Sequence, residues 1–330
     1  MKISLRYLCF LLLGLLAVTL IAACSSTVNH TRVTSQKPQD DGCRVVQHTM
    51  GETCIPQNPQ RVVALSQETF INGLELGVPS IATVFVPGFP FPEYLQGKVS
   101  RVETVGTYDS PNLEKILYLQ PDLILADSYY SQNIYNQLSQ IAPTIVLNVP
   151  FPPPSWKDQL EELARILDKE DVGQQLINNY WQRIEQLQQA LGLGAASPKE
   201  NRRHTLKVSI ANTSSESGIW SYGEKHHSGE TLKDIGLQRP ESQKGDFFYI
   251  ENISIERISD IDGDVLFFVS WEREDDKKTL GKLKQSPLWA KLNVVQRDQV
   301  HFVGMHWHNS DILAINAILD DLFKYLVNTP

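Results

Sequence analysis

Seven segments of this chain end an apolar run in side chains able to hold a bulky solute. In chain order they are Ser66-Gln67-Glu68, Thr107-Tyr108-Asp109, Asp127-Ser128-Tyr129-Tyr130, Trp220-Ser221-Tyr222, Phe247-Phe248-Tyr249, Ser270-Trp271-Glu272-Arg273 and His306-Trp307-His308. Aromatic walls with a few polar groups are the usual lining of a small-molecule site. Aromatics at strand ends also cover cores, so any single one is ambiguous. Only 9% of the chain is aromatic, however, and recurrence at so many ends favours a pocket.

Metal and covalent chemistry find less support. His226-His227 and His306-x-His308 could ligate a bare metal ion. The second pair lies on an expected loop among aromatics, which are poor ligands, and polar loop histidines are the commoner case. No resident metal or other cofactor is therefore expected. Asp260-x-Asp262-Gly263-Asp264 suggests a calcium loop, but its glycine and distal glutamate are misplaced for an EF-hand. Gly192-x-Gly194 ends a helix instead of opening one, and neither a Gly-x-Ser-x-Gly elbow nor a Walker A sequence occurs. The chemistry on offer is binding, not turnover.

The elements that would hold these tips in place show a repeat. Residues 111–126 (PNLEKILYLQPDLILA) and 253–268 (ISIERISDIDGDVLFF) align at constant offset, pairing Glu114 with Glu256, Ile116 with Ile258 and Asp122 with Asp264. Each reads as a short amphipathic helix, a turn at Pro-Asp or Gly-Asp, then an apolar run of strand length. Each helix carries its glutamate in the first turn, where a carboxylate suits the helix dipole. Spacing alone leaves two readings open, a paired functional position and two ordinary helix-start acids.

Strand and helix patterns alternate on both sides of a helical tract, which predicts an α/β fold of two lobes with parallel, helix-covered sheets. Solutes of such sheets sit at the carboxyl ends of the strands, here in a cleft between the lobes. The tract reads as helices at 156–168 and about 170–191, the second ~33 Å long. The resulting division is a first lobe at 60–155, a helical spine at 156–192 and a second lobe at 204–330, preceded by a hairpin at 43–59.

Composition bounds the partners. The chain has 330 residues, 42% of them hydrophobic, enough for two cores. Net charge is −8 and Lys and Arg form no run, so nucleic acid is not an expected partner. At the N-terminus, Lys2 and Arg6 precede an apolar stretch from Leu8 to Ala23, shorter than the ~20 residues of a membrane-spanning helix. Residues 1–23 read as a secretory signal. Its end, Ile21-Ala22-Ala23-Cys24, resembles a bacterial lipobox with Cys24 as the lipidated residue; an uncleaved anchor is the alternative, and both imply export with membrane attachment. Residues 24–42 are polar and read as a flexible tether. Cys43 and Cys54 flank Met50-Gly51-Glu52 in a hairpin pattern outside the cytoplasm, where a structural disulfide is favoured over metal ligation.

Three longer stretches carry a resemblance: CIPQNPQRVVALS (54–66), VGTYDSPNLEKILYLQPDLILA (105–126) and SPLWAKLNVVQRDQVHFV (286–303). With the long helix, they make the chain resemble the periplasmic binding proteins of iron-siderophore and cobalamin ABC importers, over essentially all of 43–330. The opening Ile-Pro-x-x-Pro-x-Arg-Val-Val is most similar to ferric-siderophore receptors, including lipoproteins. The resemblance implies a class III arrangement of two α/β lobes joined by one long helix and bending little. It also implies that Glu114 and Glu256 dock onto arginines of the membrane permease. Hydroxamate-binding relatives carry an arginine at the position of Tyr108, a tyrosine at that of Tyr130 and a tryptophan at that of Trp307. The missing arginine leaves Arg273 as the expected cation for an anionic chelate, with Trp220, Tyr222, Tyr249 and Trp271 as further contacts. The expected protein is a monomeric receptor, not an enzyme, lipid-anchored at the periplasmic face of the cytoplasmic membrane, that passes a ferric siderophore to the permease. A cobalamin or haem receptor of the same fold is the alternative within the class; a metal-dependent hydrolase acting on the chelate is the alternative outside it.

Overall fold

A computed structural model describes residues 42–87, 91, 93–95, 97–99, 101–193, 205–270 and 273–328. The expected signal, the lipidation site Cys24, the tether up to residue 41 and Trp271 lie outside the described residues. Two antiparallel strands, β1 (Cys43–His48) and β2 (Gly51–Pro56), form the N-terminal hairpin, with Cys43 and Cys54 joined by a disulfide at a Cα separation of 5.6 Å. Val46 and Ile55 are buried and seat the hairpin on the main core.

The first lobe is a five-stranded parallel sheet: β3 (Val62–Ala64), β4 (Ser80–Phe85), β5 (Glu103–Thr107), β6 (Leu123–Asp127) and β7 (Thr144–Leu147), ordered β5-β4-β3-β6-β7. The central strands read as unbroken apolar runs because both faces are covered. Helices α1 (Gln67–Glu75), α2 (Leu113–Tyr118), α3 (Ser128–Ser131) and α4 (Tyr135–Ile141) follow β3, β5 and β6, the last two after the same strand. Ser66, Asn112 and Asp127 cap α1, α2 and α3 by accepting from backbone N–H groups in their first turns. This puts the helix starts, and the tips before them, along the carboxyl edge of the sheet.

Two helices, α5 (Trp156–Leu167) and α6 (Glu170–Leu191), lead to the second lobe. Asp168 and Gly192 end them in the left-handed region, at φ 57° and 67°. Gly173 stands inside α6 because α5 passes close by: a Cβ there would lie 2.8 Å from that of Ala164.

The second sheet departs from expectation. Its strands are β8 (Val208–Ser214), β9 (Gly218–Tyr222), β10 (Tyr249–Ile253), β11 (Val265–Val269) and β12 (Val300–Val303), ordered β10-β9-β8-β11-β12. Only β8, β11 and β12 are parallel; β9 and β10 are antiparallel to their neighbours. The residues between β8 and β9 are too few for a crossover, so the chain can only fold back as a hairpin. The longer helices of this lobe among the described residues are α7 (His227–Ile235), α8 (Glu274–Lys284) and α9 (Ile312–Leu322).

The two repeat units occupy equivalent places but differ in form. In the first, α2 precedes β6; in the second, a 3-10 helix at Ile255–Ile261 precedes β11, with Arg257 off helical geometry. Asn112 caps α2 through its side chain, whereas Ser254 makes no such bond and β-branched Ile255 and Ile258 follow it. The α9 helix closes the molecule across the lobes. The Ile312 amide donates to Asn72 Oδ1 of α1 at 3.0 Å, and Arg183 of α6 donates to the Asn316 side chain at 2.8 Å. One core runs from the hairpin through α5 and α6 to α9, so residues Cys43–Pro330 form a single compact unit.

Candidate functional site

Between the lobes lies a cavity of about 1060 Å³. The first lobe contributes the start of α1, Tyr108 after β5, Asp127 with Tyr129 and Tyr130 after β6, and the Val149–Phe151 segment after β7. The second contributes Trp220 of β9, His227 of α7, Phe248 and Tyr249 at β10, and the loop from Gly304 to Ser310.

The wall is an unbroken run of rings. Tyr108 and Tyr130 are 5.2 Å apart between centroids, Tyr130 meets Tyr129 edge-on at 4.7 Å, and Tyr129 lies 5.9 Å from Phe151. Phe151 then reaches the other lobe, 5.9 Å from Phe248 and 5.8 Å from Tyr249, and Tyr249 lies 5.1 Å from Trp220. Tyr129, Tyr130 and Phe151 remain 57%, 43% and 52% exposed. Large apolar rings left open in a concavity are surface for a solute to cover.

Beneath the rings sits a polar network. The Tyr108 hydroxyl donates to Glu68 Oε2 and accepts from the Gln67 amide, both at 3.0 Å. Burial raises the Glu68 carboxyl, partly offset by hydrogen bonds from its own backbone and from Tyr108. Asp127 accepts from the Tyr130 amide at 2.9 Å, yet burial still lifts its carboxyl to about 6. Across the lobes, Tyr94 donates to Asp311 Oδ2 at 3.0 Å and accepts from Asn309 at 3.1 Å. Three imidazoles cluster at the far end, His226 lying 5.1 Å from His227 and 5.6 Å from His308 between ring centroids. Burial drives His226 well below its ordinary value, His227 to about 3 and His308 to about 4, so all three are neutral at pH 7. Among the described residues no cluster of His, Cys, Asp and Glu could hold a metal ion.

Of the residues expected to contact a solute, Tyr108, Tyr130, Trp220 and Tyr249 line the cavity. Three others do not. Trp307 is 0% exposed: its indole stacks on Phe267 at 4.3 Å and donates to Asp321 Oδ2 at 2.9 Å. The 3-10 turn at Met305–Trp307 sends Met305, His306 and His308 to the cavity and the indole to the core behind it. Tyr222 points the same way as Trp220, two residues earlier on the strand, but lies deeper. Its ring is 4.3 Å from that of His226, and its hydroxyl accepts from Asn212 at 2.6 Å and meets His308 Nδ1 at 3.0 Å. Arg273 forms no part of the lining; Glu216 at 2.9 Å and Asp276 at 3.0 Å hold it at the start of α8. Phe151 and Tyr94 are among the contributors that sequence reasoning does not single out: Phe151 precedes three prolines, and Tyr94 lies in a short turn with no periodic signal. A proline run restricts the residue before it and can set a ring rigidly at a rim, which is the signal Phe151 offered.

Glu114 and Glu256 are both exposed, each in the first turn of its repeat segment.

Residues 62–304 match the sequence profile of the family described as periplasmic binding protein. The chain is 32% identical to the probable siderophore-binding lipoprotein YfiY of Bacillus subtilis, over 98% of this chain and 99% of that one. It is 32% identical to the Fe(3+)-citrate-binding protein YfmC of the same organism, over 87% and 86%. Among solved structures, Staphylococcus aureus SirA complexed with staphyloferrin B superposes with a TM-score of 0.70 at 27% identity, covering 86% of this chain and 98% of SirA.

Proposed function

The chain belongs to the periplasmic binding protein family, and from that premise we propose that it is the receptor of an ABC importer, capturing a ferric siderophore outside the cytoplasm and delivering it to the permease. It is a binding protein, not an enzyme. The observation that carries this reading is the ring wall shared by both lobes around a cavity large enough for a chelate. In this reading Cys24 bears a lipid that holds a monomeric receptor at the membrane; among the described residues no helix is long and apolar enough to cross it.

Native mass spectrometry of the full-length chain with ferric chelates, cobalamin and haem tests the reading. One ferric chelate should bind per chain and quench tryptophan fluorescence, because Trp220 lines the cavity. Tyr130→Ala and Trp220→Ala should each weaken that binding by about 1–3 kcal/mol, as aromatic contacts at binding centres do. Capture of cobalamin or haem with every ferric chelate refused would assign the cavity to another solute.

Transfer to the permease falls in this reading to Glu114 and Glu256. Two separated carboxylates, one per lobe, would orient the receptor on a permease offering matching arginines. Glu114→Lys with Glu256→Lys should lower uptake while leaving chelate affinity intact. Uptake at the wild-type rate, or a loss that tracks a loss of binding, would remove the docking role.

A further inference from the structure

The charge of the cavity wall bears on which ferric chelates it accepts. Among the described residues, no Lys or Arg lines it. Residues 88–90, 92, 271 and 272, which lie outside the described residues, include no Lys or Arg in the sequence. Arg273 is engaged by Glu216 and Asp276, and Lys157 by Asp234 at 2.8 Å. Two carboxylates, Glu68 and Asp127, do line the cavity.

Helix starts at the edge of a sheet ordinarily offer positive potential to an anion. Here that potential is already answered by the chain itself. Glu68 sits in the first turn of α1, and Asp311 caps α9 by accepting from the Ala314 amide at 2.9 Å. At α7 the cap is the His226 ring, and Glu230 occupies the first turn. Two lining imidazoles, His227 and His308, are neutral at pH 7, and that of His306 bonds Asp321 at 2.7 Å. Aromatic rings can also take a cation on their electron-rich faces.

We propose that the cavity selects ferric chelates of zero or positive net charge, with Glu68 and Asp127 facing a cationic arm of the solute. This rests on the receptor function proposed above and narrows its substrate class. Three hydroxamate arms each give up one proton and cancel the charge of the ferric ion; three catecholate arms leave a trianion, and citrate-type carboxylates also leave an anion. An anion entering this wall loses its hydration with no cationic partner in return. Exclusion of such chelates is specificity by repulsion.

A charge series on one iron centre tests this. The probes are a ferric trihydroxamate with a free terminal amine, its N-acetyl form and its N-succinyl form, alongside a ferric tricatecholate and ferric citrate. Fluorescence titration of the full-length chain in detergent should show the amine and acetyl forms binding at least about tenfold more tightly than the succinyl form, an easily resolved difference. The tricatecholate and citrate complexes should bind more weakly still. Glu68→Gln keeps an oxygen for the Tyr108 hydroxyl and should narrow the gap between amine and succinyl forms; an unchanged gap in the folded variant would overturn the role of Glu68. Should circular dichroism show that variant unfolded, the series on the unaltered chain decides by itself. Equal affinities across the series, or a preference for the tricatecholate or citrate complex, would overturn charge selection and leave the receptor reading standing. Refusal of every chelate would overturn both.

Discussion

Trp307→Ala is expected to cost about 3–5 kcal/mol of folding stability, the usual penalty for emptying a large aromatic site in a core. Burial and two contacts of the indole lead to that figure. The indole is fully buried, it stacks on Phe267 of the interior strand β11 at an interplanar angle of 19°, and its N–H is satisfied by Asp321 of α9. Truncation removes the stack and the indole N–H bond to Asp321, which keeps its bond with His306 at 2.7 Å. Because His306 also lines the cavity, chelate binding should weaken through misplacement of that loop and not through a lost contact. Trp220→Ala provides the contrast, since its indole lines the cavity: binding should fall while stability changes little. Denaturant unfolding of both variants, set beside their chelate affinities, separates the two roles. A Trp307→Ala protein as stable as the wild type would mean the indole does not sit in the core.

Asp311→Asn should make the protein more stable than the wild type by an amount that depends on pH. The carboxyl is 0% exposed and hydrogen-bonded to Tyr94, and burial, with a smaller push from Glu68, lifts it from 3.8 to about 7. Its folded value lies above its unfolded value, so between about 4 and 7 folding takes up a proton at this position. Wild-type stability therefore falls as pH rises through that window, relative to a variant that cannot ionise there. The difference should grow by ~1.4 kcal/mol per pH unit, reach about 4 kcal/mol near pH 7 and stay flat above it. Asparagine keeps a side-chain oxygen for the Ala314 amide, so loss of the cap adds at most a constant. The buried histidines act in the opposite sense, losing stability as pH falls below 6.5, but they are common to both proteins and cancel in the comparison. Unfolding free energies at several pH values between 4 and 8 give the curve; a pH-independent difference would refute the raised carboxyl.

What could be read without coordinates was local in origin. Helical periodicity marked the spine: the expected helices at 156–168 and about 170–191 appear as Trp156–Leu167 and Glu170–Leu191, ended by Asp168 and Gly192. Side-chain direction within a helix or strand repeats over a few residues, so the pattern is carried by near neighbours in the chain. The same logic found the strand-end tips, and four expected contacts, Tyr108, Tyr130, Trp220 and Tyr249, do line the cavity. The hairpin of β8 and β9 was equally local, yet the alternating pattern concealed it, because a short turn between two apolar runs looks the same whether or not a helix follows later.

Tertiary structure decided what depends on partners far along the chain. Trp307 faces inward because Phe267 and Asp321 await it there. Arg273 is held away from the solute by Glu216, and its charge never reaches the wall. Phe151 became the link between the lobes only when Phe248 and Tyr249 arrived beside it, and Asp311 is raised because the packed lobes remove its water and Glu68 adds a smaller push, against the hydrogen bond from Tyr94. The sequence by itself determined an α/β chain of two lobes on a helical spine, with aromatic tips along one edge, since those follow from spacing and local geometry. Which tips line the cavity, and that no Lys or Arg stands beside them among the described lining residues, was decided by the fold, because burial and charge pairing are properties of residues brought together across long stretches of chain.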